Sequence, residues 1–147
     1  MSDKKIHLRV VTPTQTVLDA PVDMVGAMGS EGAFTALPGH IDFLTDLQPG
    51  VLWYRQENQT RELAVSGGFI EVRPYKASVL ADSAEYVEDI DVERAERALK
   101  KAADLMAKAK VAGQSGQDDG KAEITQITSR MNRAAVRLKL ATKKLPR

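Results

Sequence analysis

No cysteine occurs in the 147 residues, so the chain builds no disulfide framework and does no thiol chemistry, which fits a reducing compartment. Aromatic residues make up 5%, with Trp53 the single tryptophan. Histidine is present only as His7 and His40. His7 alternates with apolar residues and is expected to face solvent, while His40 sits in a turn with Pro38-Gly39. Neither forms part of a Ser-His-Asp set, and no His/Asp/Glu cluster has metal-ligand spacing. Gly67-Gly68 is not a phosphate loop, because no G-x-x-x-x-G-K-[ST] surrounds it. Acid pairs such as Glu88-Asp89 fall in a connector, with no sign of a cleft. These absences argue against an enzyme and against a required cofactor. No apolar run approaches the ~20 residues of a membrane span. Met1-Ser-Asp-Lys-Lys leads straight into alternating strand, which predicts neither a signal peptide nor direct membrane insertion.

Short strands fill the first half. Ile6, Leu8 and Val10 alternate with His7 and Arg9, the period of a half-buried strand. Further strands are expected from Val17 until Pro21 ends them, over Val22–Met28, Ala33–Leu37, Phe43–Leu47, Val51–Arg55, Arg61–Val65, Phe69–Arg73 and Ala77–Ala81. Gly29-Ser30-Glu31-Gly32, Pro38-Gly39, Pro49-Gly50, Gln56–Thr60 and Pro74-Tyr75 supply the turns. Eight to ten short strands, with a turn signal every eight to twelve residues, predict an antiparallel β-sandwich or barrel over residues 1–87.

The second half, 88–147, reads as helix. Asp91 is placed to cap a helix running to about Ala112, with Ile90 and Ala95 as a hydrophobic staple. Ala95, Ala98, Leu99, Ala102, Leu105, Met106 and Ala109 recur at helical spacing. The polar stretch Gly113–Gly120 interrupts the pattern. A second helix is expected from about Lys121 to Lys144, with Ile124, Ile127, Met131, Ala134, Leu138, Ala141 and Leu145 as its seam. Two such helices on a short loop predict an antiparallel α-helical hairpin.

Charge is uneven. The net is +1, yet residues 120–147 carry eight basic side chains against one acid, Glu123. Arg130, Arg133 and Arg137, at i, i+3 and i+7, form a stripe beside the seam. A charge run is usually a solvated face. Here almost no acids are interleaved, so an acidic partner is expected: a protein surface, an anionic lipid or a nucleic acid. A basic helical hairpin that binds nucleic acid is the alternative reading; scarce aromatics and the absence of a basic patch on the sandwich argue against it. The helix start at Asp91–Ala95 also suits anions, through unpaired amides and the positive dipole end.

The order of Gly29-Ser30-Glu31-Gly32, Leu37-Pro38-Gly39-His40, Leu44-Thr45, Pro49-Gly50, Ser66-Gly67-Gly68, Glu71-Val72 and Val79-Leu80-Ala81-Asp82, followed by a helical hairpin, resembles the epsilon subunit of bacterial F-type ATP synthase, the counterpart of the mitochondrial delta subunit. Asp42-Phe43 departs from the small or apolar residue and leucine common in that family. The resemblance implies a rotor-stalk subunit of a proton-translocating synthase, peripheral on the cytoplasmic face of the bacterial inner membrane. It implies a sandwich that binds the gamma subunit and the c-ring, with Glu31 and His40 as contacts. It also implies a mobile hairpin that inhibits ATP hydrolysis by meeting the alpha/beta subunits, with Arg130, Lys139, Lys143 and Lys144 against beta. Some members bind ATP through I/L-D-x-x-R-A, which Ile90-Asp91-Val92-Glu93-Arg94-Ala95 matches. An arginine pair matches Arg133 and Arg137, and an upstream acid matches Glu85. The resemblance thus implies ATP as a regulatory ligand held by Glu85, Ile90, Asp91, Arg94, Ala95, Arg133 and Arg137.

Overall fold

The computed structural model describes residues 4–112 and 119–143. Lys144 and Leu145, and most of the expected loop Gly113–Gly120, lie outside the described residues. The chain divides into two compact units, Met1–Asp89 and Ile90–Arg147.

The first unit holds ten strands, from β1 (Ile6–Val11) and β2 (Thr16–Val22) through β3 (Met24–Gly29), β4 (Gly32–Ala36), β5 (Phe43–Leu47), β6 (Gly50–Gln56), β7 (Gln59–Val65), β8 (Gly68–Arg73) and β9 (Lys76–Ala81) to β10 (Ala84–Tyr86). Hydrogen bonding links them in the order β10-β7-β6-β3-β5-β8-β9-β1-β2, with β4 on β3. β3 and β5 meet only at Gly29 and Leu47, where the sheet folds over. Its two halves approach again where the Asp23 amide donates to the Arg55 carbonyl at 2.7 Å and Gln56 Nε2 to the Pro21 carbonyl at 2.9 Å. The product is a sandwich closed nearly to a barrel. The sequence period explains why it closes: Ile6, Leu8 and Val10 are fully buried, as are Leu52, Leu63, Ile70 and Val79, so the inward faces of both halves share one core.

Several details differ from the sequence expectation. Pro21 does not end a strand; it pairs opposite His7 inside β2. β2 stands at the sheet edge, where a residue without an amide proton breaks no ladder. The turn between β6 and β7 narrows to Glu57 and Asn58, with φ of 51° and 65°, the left-handed pair that matches hairpin twist. β1 and β9 pair in parallel, unlike the other ladders. The Asp42-Phe43 departure has a packing reason: the Phe43 ring stands edge-on to Phe34 at 5.2 Å, against the core.

Tyr54 is 1% exposed, and its hydroxyl meets that of Tyr86 at 3.0 Å. Burial, then the Tyr86 hydrogen bond, pushes the Tyr54 phenol well above its usual 10. The folded state therefore holds this proton more tightly than the unfolded chain. The stabilisation is complete below pH ~10 and is lost as pH rises beyond it, by up to about 1.4 kcal/mol per pH unit. Tyr54→Phe is expected to flatten that alkaline decline. Urea melts of both proteins from pH 9 to 11 check it, and parallel declines would refute it.

The second unit is two helices packed on each other, α1 (Val92–Ala112) and α2 (Asp119–Lys143). Asp91 caps α1: its Oδ1 accepts the Arg94 amide at 3.0 Å, and its carbonyl accepts the Ala95 amide at 3.0 Å. Ile90 and Ala95, the two staple positions, are both buried. Along α1 the shielded positions are Val92, Ala95, Leu99, Ala102, Leu105, Met106 and Ala109; Ala98 is exposed, against expectation. Ala95, Leu99, Ala102, Met106 and Ala109 alternate by four and three, and Ala98 falls outside that line. On α2, Ile124, Ile127, Met131, Ala134, Leu138 and Ala141 are all shielded, as the seam predicts. α2 starts at Asp119, two residues earlier than expected.

Candidate functional site

Two groups of residues are candidates for function: a face of the sandwich and the polar edge of the hairpin. On the sandwich, an antiparallel ladder sets Phe69 opposite Leu80, and both side chains are exposed, 54% and 61%. Leu44, on the adjoining strand β5, is 68% exposed. These sit in the outward phase of strands whose inward residues, Ile70, Val72 and Val79, fill the core. The sequence reading missed them as a group. Their signal is an apolar residue at an outward position of an alternating strand, as in Phe69-Ile70-Glu71-Val72-Arg73.

Polar residues border this apolar row. Arg73 Nε donates to Glu71 Oε1 at 2.6 Å, which holds the Arg73 guanidinium above its ordinary pKa. A shallow cavity of about 260 Å³ lies beside the pair, lined by Glu71, Arg73, Lys76 and Ser78.

Glu31 and His40 occupy opposite ends of β5. Glu31 is exposed in the tight turn between β3 and β4, beside the Ser30 amide that donates to Asp46 O at 3.1 Å. His40 lies in the β4–β5 loop, with Nδ1 2.7 Å from the Ile41 carbonyl and its ring 6.3 Å from Phe43. Exposed Leu37 and Ile41 flank it. The two residues therefore lie at two ends of the sandwich.

On the hairpin, Ile90, Asp91, Arg94 and Ala95 surround the start of α1, with Arg94 exposed. Arg133 and Arg137 are one turn apart on α2 and half-buried, whereas Arg130 is exposed. Glu85 belongs to the first unit, half-buried on β10 opposite Ala64. The cap leaves the helix start one amide fewer for an anion: Asp91 takes the Arg94 amide, as the sequence predicts, and brings a negative charge with it. An anion here would rest on guanidinium groups, with the helix start acting as their scaffold. Lys139 is exposed; the side chain of Lys143, and all of Lys144, fall outside the described residues.

Among the described residues no group of three or more His, Cys, Asp or Glu side chains could hold a metal ion. No described helix is long and apolar enough to cross a membrane.

Comparison with known proteins agrees with this architecture. The family described as ATP synthase, Delta/Epsilon chain, beta-sandwich domain matches residues 5–87. An ATP synthase epsilon chain of Nitratidesulfovibrio vulgaris is 48% identical over 108 residues, 74% of this chain and 81% of the relative. That of Syntrophobacter fumaroxidans is 40% identical over 140 residues, 95% and 98% of the two chains. A chain in the Euglena gracilis mitochondrial ATP synthase OSCP/F1/c-ring shares the fold with a TM-score of 0.70 at 23% identity, covering 92% of this chain and 81% of that one. A chain from the Tetrahymena thermophila mitochondrial central stalk and c-ring aligns with a TM-score of 0.52 at 17% identity, covering 90% and 98%. The match thus runs over the sandwich that holds the apolar row and, in the Syntrophobacter relative, on through the hairpin: the chain belongs to the delta/epsilon family of ATP synthase chains.

Proposed function

We propose that this non-catalytic stalk subunit of ATP synthase joins the catalytic head to the c-ring and restrains ATP hydrolysis through its helical hairpin. Exposed Phe69 and Leu80, side by side, with Leu44 diagonal to Phe69, offer an apolar seat for the gamma subunit, and Glu31 and His40, at the two ends of β5, offer polar contacts to gamma and the c-ring. Burying three such side chains against a partner would contribute roughly 1.5–3 kcal/mol each, before the costs of association. The subunit lies peripherally on the cytoplasmic face of the bacterial inner membrane, in a synthase that couples to protons. The hairpin is the regulatory part, and it meets the alpha/beta subunits. The observation that carries this is its charge: eight basic residues against one acid in 120–147, with Arg130 and Lys139 on its exposed side. Such a surface is complementary to an acidic protein face and is screened by salt. ATP is its regulatory ligand, favouring whichever hairpin arrangement binds it better.

Reconstitution into a synthase depleted of its epsilon chain is the test. Arg130→Ala, Lys139→Ala, Lys143→Ala and Lys144→Ala together are expected to raise ATP hydrolysis severalfold over the wild-type complex, with assembly intact. Unchanged hydrolysis in a fully assembled complex would remove the inhibitory role from these residues.

A further inference from the structure

The last strand of the first unit is held in an unusual way. β10 is three residues long and pairs only with β7, through Ala84–Val65, Glu85–Ala64 and Tyr86–Leu63. Of Ala84-Glu85-Tyr86 only Tyr86 favours a strand, and all three side chains are only half-buried. Side chains of the β6–β7 hairpin, Tyr54 and Arg61, grip Tyr86 and the turn after it. The Tyr54 hydroxyl reaches the Tyr86 hydroxyl at 3.0 Å. The Arg61 guanidinium stacks on the Tyr86 ring at 4.4 Å and pairs with Glu88 in the adjoining 3-10 turn (Val87–Asp89). That pairing holds Arg61 above its ordinary pKa. Val87, between the two gripped residues, is buried. Asp91 then starts α1 directly.

We propose that β10 and its 3-10 turn form a releasable latch, closed by Tyr54 and Arg61 and set immediately before the regulatory helices. Three features carry this. The segment is at the sheet edge, so its departure breaks one ladder only. Beyond that ladder it is gripped by side-chain contacts at Tyr86 and Glu88, and Ala84 and Tyr86 pack only on the margin of the core cluster, half-buried. Its position makes release consequential: residues 84–89, once freed, span up to ~20 Å as tether between the units. Closed, the latch keeps α1 on a short lead; open, it gives the hairpin reach. The device goes beyond the inhibitory reading and stands without it, because it is a property of the first unit.

Hydrogen exchange on the full chain tests it, resolved by residue. In the wild type the amides of β10 and the 3-10 turn are expected to exchange through a local opening, at least tenfold faster than those of β6 and β8. Tyr86→Phe and Glu88→Gln are each expected to speed exchange at 84–89 severalfold and to leave β8 and β9 unchanged. The absence of native cysteine permits a lock: Ala64→Cys with Glu85→Cys joins register partners within disulfide reach. Oxidation of that pair is expected to abolish the fast phase, and reduction of the same sample to restore it. Exchange at 84–89 that tracks global unfolding in every variant would overturn the latch, as would equal acceleration throughout the sandwich. A fast phase that survives in the oxidised pair would overturn it as well.

Discussion

Gly68→Ala is expected to destabilise the sandwich by more than about 4 kcal/mol, a large share of the roughly 5–15 kcal/mol that holds a domain folded. Gly68 has φ of +129°, a region that non-glycine residues enter only at a cost of about 1–3 kcal/mol. Space makes it worse. A methyl group there would overlap the Leu80 carbonyl oxygen and stand 2.8 Å from Ala81 Cα. Both are backbone atoms of β9, whose inward side chains Val79 and Ala81 are packed in the core. Gly68 is also register partner to Leu47 on β5, so neither neighbour can retreat without opening a ladder. Gly32 provides the control. Its φ is +125°, yet an added Cβ meets nothing within 4 Å. Gly32→Ala should carry the backbone cost alone. Urea denaturation of the two variants separates clash from conformation; equal losses would show that β9 yields and that the clash argument is wrong.

Gly68 also shows how far the sequence could be read. The strand that begins beside it, Phe69–Arg73, was visible, and so were the turns with glycine or proline elsewhere, because these residues act through local backbone geometry. Alternation located the core residues of β1, Ile6, Leu8 and Val10, for the same local reason. The features that stayed hidden are non-local. Pro21 reads as a stop unless β2 is known to be an edge. The parallel pairing of β1 with β9 joins residues some 70 positions apart, and no window of sequence contains it. β10 has neither β-branched residues nor alternation; it exists because Tyr54 and Arg61, far back in the chain, hold it. Phe69 and Leu80 looked like ordinary strand residues until the ladder put them side by side in solvent. In the hairpin, Ala98 has the spacing of a seam residue, but alanine carries too little hydrophobic signal to fix a face. The candidate nucleotide residues were legible only as a motif. The same stretch also marked Asp91 as the helix cap, and the structure adds which amide it takes, that of Arg94.

That cap bears on ATP binding. Arg94→Ala or Arg133→Ala is expected to weaken ATP binding by the isolated chain roughly ten- to a hundredfold. A hydrogen bond to a charged group contributes about 1.5–3 kcal/mol, and each 1.4 kcal/mol is a factor of ten. Arginine suits the task because its planar fork takes two phosphate oxygens at once. Because Asp91 occupies the Arg94 amide, the helix start offers less to an anion than bare amides would, and the guanidinium groups carry more of the load. Arg133 and Arg137, one turn apart on α2 and half-buried, lose less binding energy to solvent than exposed residues do. Lys110→Ala, on the exposed side near the end of α1, is expected to leave binding unchanged. Asp91→Ala separates cap from ligand contact. If the carboxylate serves only the helix, its loss costs about 1 kcal/mol of helix stability. It then leaves affinity nearly intact, or improves it by removing a negative charge. If it also meets the ligand, affinity falls with the arginine variants. Calorimetric titration of the purified chain decides among these outcomes. No heat at millimolar ATP, with no change in hydrogen exchange over Ile90–Ala95, would leave the motif a helix cap and nothing more.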